Sequence, residues 1–178
     1  MTPVDLSKLL GSFRVSSFRL ETFERYTIPE EQAWLDAFQR DGSLPDLTVD
    51  NDPWLRLIAD AVGVGKRLRR VHLVRRPLSD YLRFELGLCQ FTAAAGEEVR
   101  IADLDEHPQL ATLHTDFWLF DDQVAVVMRY DAQGRFLGAE PGGDPAPWRR
   151  QRDLALACSV ELKEFLVSSD SPAQRAGR

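Results

Sequence analysis

Only two cysteines, Cys89 and Cys158, occur in 178 residues, and each sits in an apolar, helix-like stretch. Thiols in such surroundings act as small hydrophobes, so neither a disulfide scaffold nor a cysteine-based zinc site is expected. No apolar run reaches the roughly 18 residues that a membrane span needs. Met1 to Val15 likewise lacks a basic region leading into a long apolar block. A reducing cytoplasm is the expected setting. Catalytic signatures are equally sparse: there is no Gly-rich phosphate loop, no G-x-S-x-G, no H-E-x-x-H and no C-x-x-C. The residues two beyond His72, His107 and His114 are Val74, Gln109 and Asp116, so the His-x-Lys pair of phospholipase D-type chemistry is missing. The expectation is a non-enzyme without catalytic residues, cofactor or metal.

Positive charge is also in deficit. The formal net charge of −6 argues against a generic nucleic-acid coat, which works by neutralising phosphates. One segment runs the other way. Gly65 to Arg76 carries six of the 22 Lys and Arg residues and no acid, leaving 16 basic residues against 28 acidic ones elsewhere.

What is present is a regular sequence of element signals in a chain long enough to bury a core without staples. Thr27, Pro29 and Glu30 read as a helix start, with Trp34 and Phe38 one turn apart on its apolar side and Asp41-Gly42 as its end. Asp52-Pro53 repeats the signal ahead of Trp54, Leu57 and Ile58. A strand fits Leu68 to Val74. Ser79 or Asp80 caps a helix from Tyr81 to Ala95, apolar around so much of its circumference that burial is expected. Glu98 to Ala102 reads as a strand. Phe117 to Phe120, Val124 to Tyr130 and Arg135 to Leu137 read as a meander, and Trp148 to Leu166 as one amphipathic helix. Phe13 to Tyr26 fits strand and helix alike. The sum is an α+β fold, a mixed sheet with a C-terminal β-meander packed by helices, forming one domain over residues 1–167 with a flexible tail at 168–178.

Two constellations are candidates for binding. Arg69, Arg70, Arg75 and Arg76 could form a cationic rim for phosphates or an acidic partner, or be solvated edge charges. His114, Asp116, Asp121 and Asp122 surround Phe117-Trp118-Leu119-Phe120, where an imidazole and carboxylates could converge on one strand face. Strand-start and turn roles compete for the same aspartates. Tyr81 and Glu85, one helical turn apart, could anchor a polar group of a ligand. The binding set is therefore Arg69, Arg70, Arg75, Arg76, Tyr81, Glu85, Asp116, Trp118 and Asp121.

At Arg19-Leu20-Glu21, Trp54, Arg70-Val71, Pro77 to Tyr81, Glu85, Gly96-Glu97 and Asp116 to Asp121, the chain resembles an actinobacterial family of unknown function. Its members are often encoded beside XRE-type helix-turn-helix regulators in loci of the WhiJ type. The resemblance spans about Phe18 to Gly138 and carries no activity or catalytic residue with it. His114-Thr115 stands where relatives are expected to have Leu-Pro, which sets His114 apart from any shared site. Leu68 to Leu137 is also faintly similar to one half of a phospholipase D-like domain stripped of its catalytic motif, a likeness of fold only.

The resemblance implies an accessory partner of a helix-turn-helix transcription regulator, and such a module could act as a homodimer. With no helix-turn-helix of its own, the chain is not expected to bind DNA directly. The alternatives are a phosphate-substrate enzyme of phosphodiesterase type, using Arg69, Arg70, His72 and Asp116 near a cleft, and a small-ligand sensor with an apolar pocket under the Asp116 to Asp121 strand.

Overall fold

The computed structural model describes residues 4–169. Its first element, α1 (Leu6–Ser12), starts at Asp5, whose side chain accepts from the Lys8 amide. Strand β1 (Ser16–Glu21) follows, so the middle of the ambiguous 13–26 segment is strand, with Phe13 closing α1 and residues 22–26 irregular. A 3-10 turn at Pro29–Glu31 leads into α2 (Gln32–Asp41), which Gly42 ends at a φ of 78° that suits a residue without Cβ. Asp52 caps α3 (Pro53–Gly63) through the Leu55 amide, and Ser79 caps α4 (Asp80–Ala94) through the Leu82 amide. Between them lies β2 (Arg67–Val74), and after α4 comes β3 (Glu98–Asp103). The meander is β4 (Phe117–Phe120), β5 (Val124–Tyr130) and β6 (Phe136–Pro141). Last come α5 (Pro145–Ala157), β7 (Val160–Glu161) and α6 (Leu162–Ser169).

The seven strands form one mixed sheet in the order β6-β5-β4-β1-β2-β3-β7. β1, β2 and β3 run parallel, while β4, β5, β6 and β7 are added antiparallel. The parallel strands succeed one another in a single direction across the sheet. Crossovers of one hand therefore put α2, α3 and α4 on the same face. α5 covers the other face with Leu110 and Leu113, over Phe18, Leu20, Val71, Phe117 and Leu119. On the first face, α3 packs on Leu68, Trp118, Phe120 and Val126, and α4 with α6 on Val74, Val99 and Ile101. The α+β class with a helix-packed mixed sheet is thus observed.

Two readings need correction. The segment from Trp148 to Leu166 is not one helix: α5 stops at Ala157, and Val160 and Glu161 pair with Ile101 and Arg100 at the edge of β3. Arg100 also donates from Nη2 to the Ser159 carbonyl at 2.6 Å, so tertiary hydrogen bonds take the backbone groups that a continuous helix would use. Ser168 and Ser169, expected in the tail, belong to α6; the rest of that expected tail, residues 170–178, lies outside the described residues. No helix of the described residues is long and apolar enough to cross a membrane.

Candidate functional site

Side chains alternate across a strand, so β1 sends Phe18 and Leu20 toward α5 and sends Ser17, Arg19 and Glu21 toward α3 and α4. β1 lies inside the sheet, and its polar side is buried too: Arg19 is 3% exposed and Glu21 7%. The register aligns Arg19 with Arg70 of β2 and Trp118 of β4, and Glu21 with His72. A stripe of ionisable groups therefore crosses the middle of the sheet under a helical layer, where each needs a partner.

Asp116, just ahead of β4, gathers one half of the stripe. Its Oδ2 accepts from Arg19 Nη2 at 2.8 Å and from Tyr26 OH at 2.6 Å, and its Oδ1 from the amide and hydroxyl of Thr22, each at 2.8 Å. Tyr130 OH lies 3.1 Å from the same Nη2. Burial works against the Arg19 charge, yet Asp116 and Glu21 outweigh it and hold the guanidinium above its usual range.

Glu21 gathers the other half. Both its carboxylate oxygens lie 3.0 Å from Arg70 Nη1, and Arg70 Nε donates to Glu97 Oε1 at 3.2 Å. His72, fully buried, places Nδ1 3.4 Å from Glu21 Oε2 and Nε2 3.4 Å from the Phe23 carbonyl. Burial pushes Glu21 toward protonation, but Arg70 and His72 win and hold it well below the usual carboxylate range.

This stripe ends at a cavity of about 310 Å³, partly open to solvent and lined by Glu21, Glu31, Trp54, Arg70, Glu85 and Tyr130 among others. An adjoining lobe of about 270 Å³ shares Glu31, Trp54, Arg70 and Glu85 and extends to Trp34, Leu88 and Phe91. Glu85 reaches it from α4, where Tyr81 OH donates to Oε2 at 3.3 Å. Burial, Glu85 and Glu21 together push Glu31 up to about 7, and its Oε2 has no hydrogen-bond partner. Burial and then Glu21 push Glu85 upward as well.

The sequence-predicted residues scatter around this centre. Arg70, Tyr81, Glu85 and Asp116 belong to it, Arg70 and Glu85 as cavity walls. The cationic run does not make one rim. Arg70 points into the interior, and Arg69, on the other side of β2, shares its electrostatic surroundings with Arg67, Glu98, Arg152 and Asp122. Arg75 pairs with Asp105 at 3.0 Å and Arg76 with Asp103 at 2.6 Å. The His114 and Asp116 constellation does not converge. His114 is exposed with Nδ1 2.9 Å from the Thr112 carbonyl, while Asp121 and Asp122 sit beyond the far end of β4. Asp121 is an anchor there: its carboxylate accepts from the amides of Arg14, Val15 and Ser16 at 2.8, 2.7 and 2.9 Å. Trp118 is 6% exposed, stacked on Phe120 and edge-on to Trp54.

Arg19, Glu21, Tyr26, Glu31, His72 and Tyr130 were not in the predicted set. The one signal for β1 was the polar-apolar alternation of Ser17 to Glu21, a pattern that ordinarily marks a strand with one wet face.

A family model described as a domain of unknown function, DUF6879, matches residues 4–167, which takes in every element of the site. The chain belongs to the DUF6879 family. No curated protein matches it. The whole DUF6879 match carries the polar stripe, the cavity and the strands that frame them.

Proposed function

We propose that this DUF6879 chain is a non-enzymatic binding module whose cavity takes a small organic cation with an apolar body. The observation that carries the reading is that Glu31 and Glu85 face one cavity while Arg70, the one guanidinium lining it among the described residues, is engaged by Glu21 and Glu97. Among the described residues neither Glu31 nor Glu85 has an ion-pair partner within the structure. Trp54, Tyr130 and Phe136 supply aromatic walls, whose faces attract cations as well as apolar groups. The volume falls at the lower end of the range of roughly 300 to 1,000 Å³ typical for small-molecule sites.

A ligand-responsive module fits the accessory role that the sequence resemblance implies, with occupancy reported to a helix-turn-helix regulator; the support for that partner is the resemblance, and co-purification of the two chains tests it. The phosphodiesterase alternative gains little from the geometry, because Arg69 and Arg70 lie on opposite sides of β2 and His72 faces Glu21 rather than solvent.

Calorimetric titration with phenethylammonium and with 3-phenylpropionate, matched in shape and opposite in charge, tests the reading. The cation should bind saturably and the anion should not. Glu31→Gln and Trp54→Ala should each weaken the cation by roughly tenfold, about the 1.4 kcal/mol expected of one charge or cation–π contact. Equal or tighter binding of the anion contradicts the proposal.

A further inference from the structure

Behind the cavity wall formed by Glu21 lies an unusual opposition. A carbonyl can only accept, so with the Phe23 oxygen 3.4 Å from Nε2, the proton of a neutral His72 ring belongs on Nε2. That leaves the Nδ1 lone pair facing Glu21 Oε2 at 3.4 Å, acceptor against acceptor, with no hydrogen-bond partner for Nδ1 and no solvent access to the ring. A positive centre has to stand between them, either a second proton or a cation.

We infer that Glu21, His72 and Glu85 form a site for one divalent transition-metal ion. One ligand atom from each lies within 4.8 Å of the others. The 3.4 Å between Nδ1 and Oε2 is close to the edge of a tetrahedron with metal–ligand bonds near 2.0 to 2.1 Å, about 3.3 Å. Each ligand is already oriented from behind: Arg70 grips Glu21, Tyr81 donates to Glu85, and the Phe23 carbonyl sits at the far nitrogen of His72. Such supports fix the tautomer and geometry of metal ligands.

Charge balance points the same way. With every carboxylate ionised, the two guanidiniums Arg19 and Arg70 offset two of the four carboxylates Asp116, Glu97, Glu21 and Glu85, so the stripe carries two net negative charges when His72 gives its Nδ1 lone pair to a metal. One divalent ion makes the stripe neutral. Two carboxylates with one imidazole favour zinc, manganese, cobalt or ferrous iron over magnesium, calcium or cuprous copper. The cavity side leaves a position open for water or a ligand atom.

This site goes beyond the organic-cation reading and shares only Glu85 with its two carboxylates, so the two can fail separately. The full chain, stripped with chelator, is loaded with zinc, desalted and measured for metal per chain, and loaded with cobalt for its visible absorption. The expected result is one ion per chain, a raised melting temperature and a nitrogen-and-oxygen cobalt spectrum. His72→Asn and Glu85→Gln should weaken cobalt more than about 100-fold, beyond the usual cost of losing an outer-shell partner. Glu31→Gln should keep the metal while weakening phenethylammonium roughly tenfold. Wild-type chain that retains no stoichiometric metal overturns the inference without reference to any variant, and so does unchanged metal binding in folded Glu85→Gln.

Discussion

Arg19 Nη2 on β1 donates at 2.8 Å to Oδ2 of Asp116, the residue just ahead of the neighbouring strand β4, with the two side chains 4% and 0% exposed. Breaking one partner of such a pair leaves the other charge in a low-dielectric interior, which typically costs about 3 to 5 kcal/mol. Arg19→Met should therefore lower the unfolding free energy by that order in urea titration, although Met fills much of the same space. A loss below about 1 kcal/mol would place the pair with ordinary surface ion pairs.

Asp121 ties the β4–β5 turn to the start of β1. Burial raises its pKa, but the amides of Ser16, Val15 and Arg14 outweigh this and hold it below the usual carboxylate range. A depressed folded-state pKa contributes stability that is present above the unfolded value and lost as pH falls through the folded one. Asp121→Ala should cost roughly 1.5 to 3 kcal/mol, the usual worth of a hydrogen bond to a charged group. It should also flatten the acid limb of the stability profile below about pH 4. An unaltered acid limb would show that Asp121 does not act through these bonds.

Glu31 behaves in the opposite sense. Burial and the neighbouring Glu85, Glu21 and Glu30 raise it to about 7, against the opposing pull of Arg70. Between its usual value near 4.3 and 7 the folded chain keeps a proton that the unfolded chain has released, so stability should decline as pH rises through that window. Melting temperatures of wild type and Glu31→Gln across pH 5 to 8 read this directly: the decline should be shallower in the variant. Phenethylammonium affinity should rise over the same interval as Glu31 ionises. Parallel pH profiles for the two proteins would remove Glu31 as the titrating group.

Trp118 is held between Phe120, stacked at 5.7 Å, and Trp54, edge-on at 6.1 Å. Trp118→Ala should cost about 3 to 5 kcal/mol, as expected for a buried aromatic. It should also weaken ligand binding, because Trp54 loses the ring that supports the cavity wall. A thermal shift of only a degree or two would mean that this face of β4 is not core.

Much of the frame was legible because local signals and tertiary structure agree. Ser79 ahead of α4, Asp52-Pro53 ahead of α3 and the Asp121-Asp122-Gln123 turn each carry local chemistry that survives in the fold. The break after Ala157 was not legible, because it is made by Arg100 and the edge of β3, nearly 60 residues away in sequence. Arg70, Tyr81, Glu85 and Asp116 were visible as chemistry-bearing residues. What joins them was not. Arg19, Glu21 and His72 alternate with apolar residues as a solvated strand face would, and only the placement of β1 and β2 inside the sheet, beneath α3 and α4, turns that face into an interior stripe.

The cavity is the central claim, and the four tryptophans report on it from different places. Trp34 and Trp54 line the two lobes, while Trp148 lies on the opposite face of the sheet with its indole nitrogen donating to the Gly142 carbonyl at 2.8 Å. Titration of nitrogen-15-labelled chain with phenethylammonium, followed through the indole N–H resonances, should move Trp54 and Trp34 saturably and leave Trp148 in place. Shifts confined to Trp148, or none at saturating cation, would contradict a binding module built around Glu31 and Glu85.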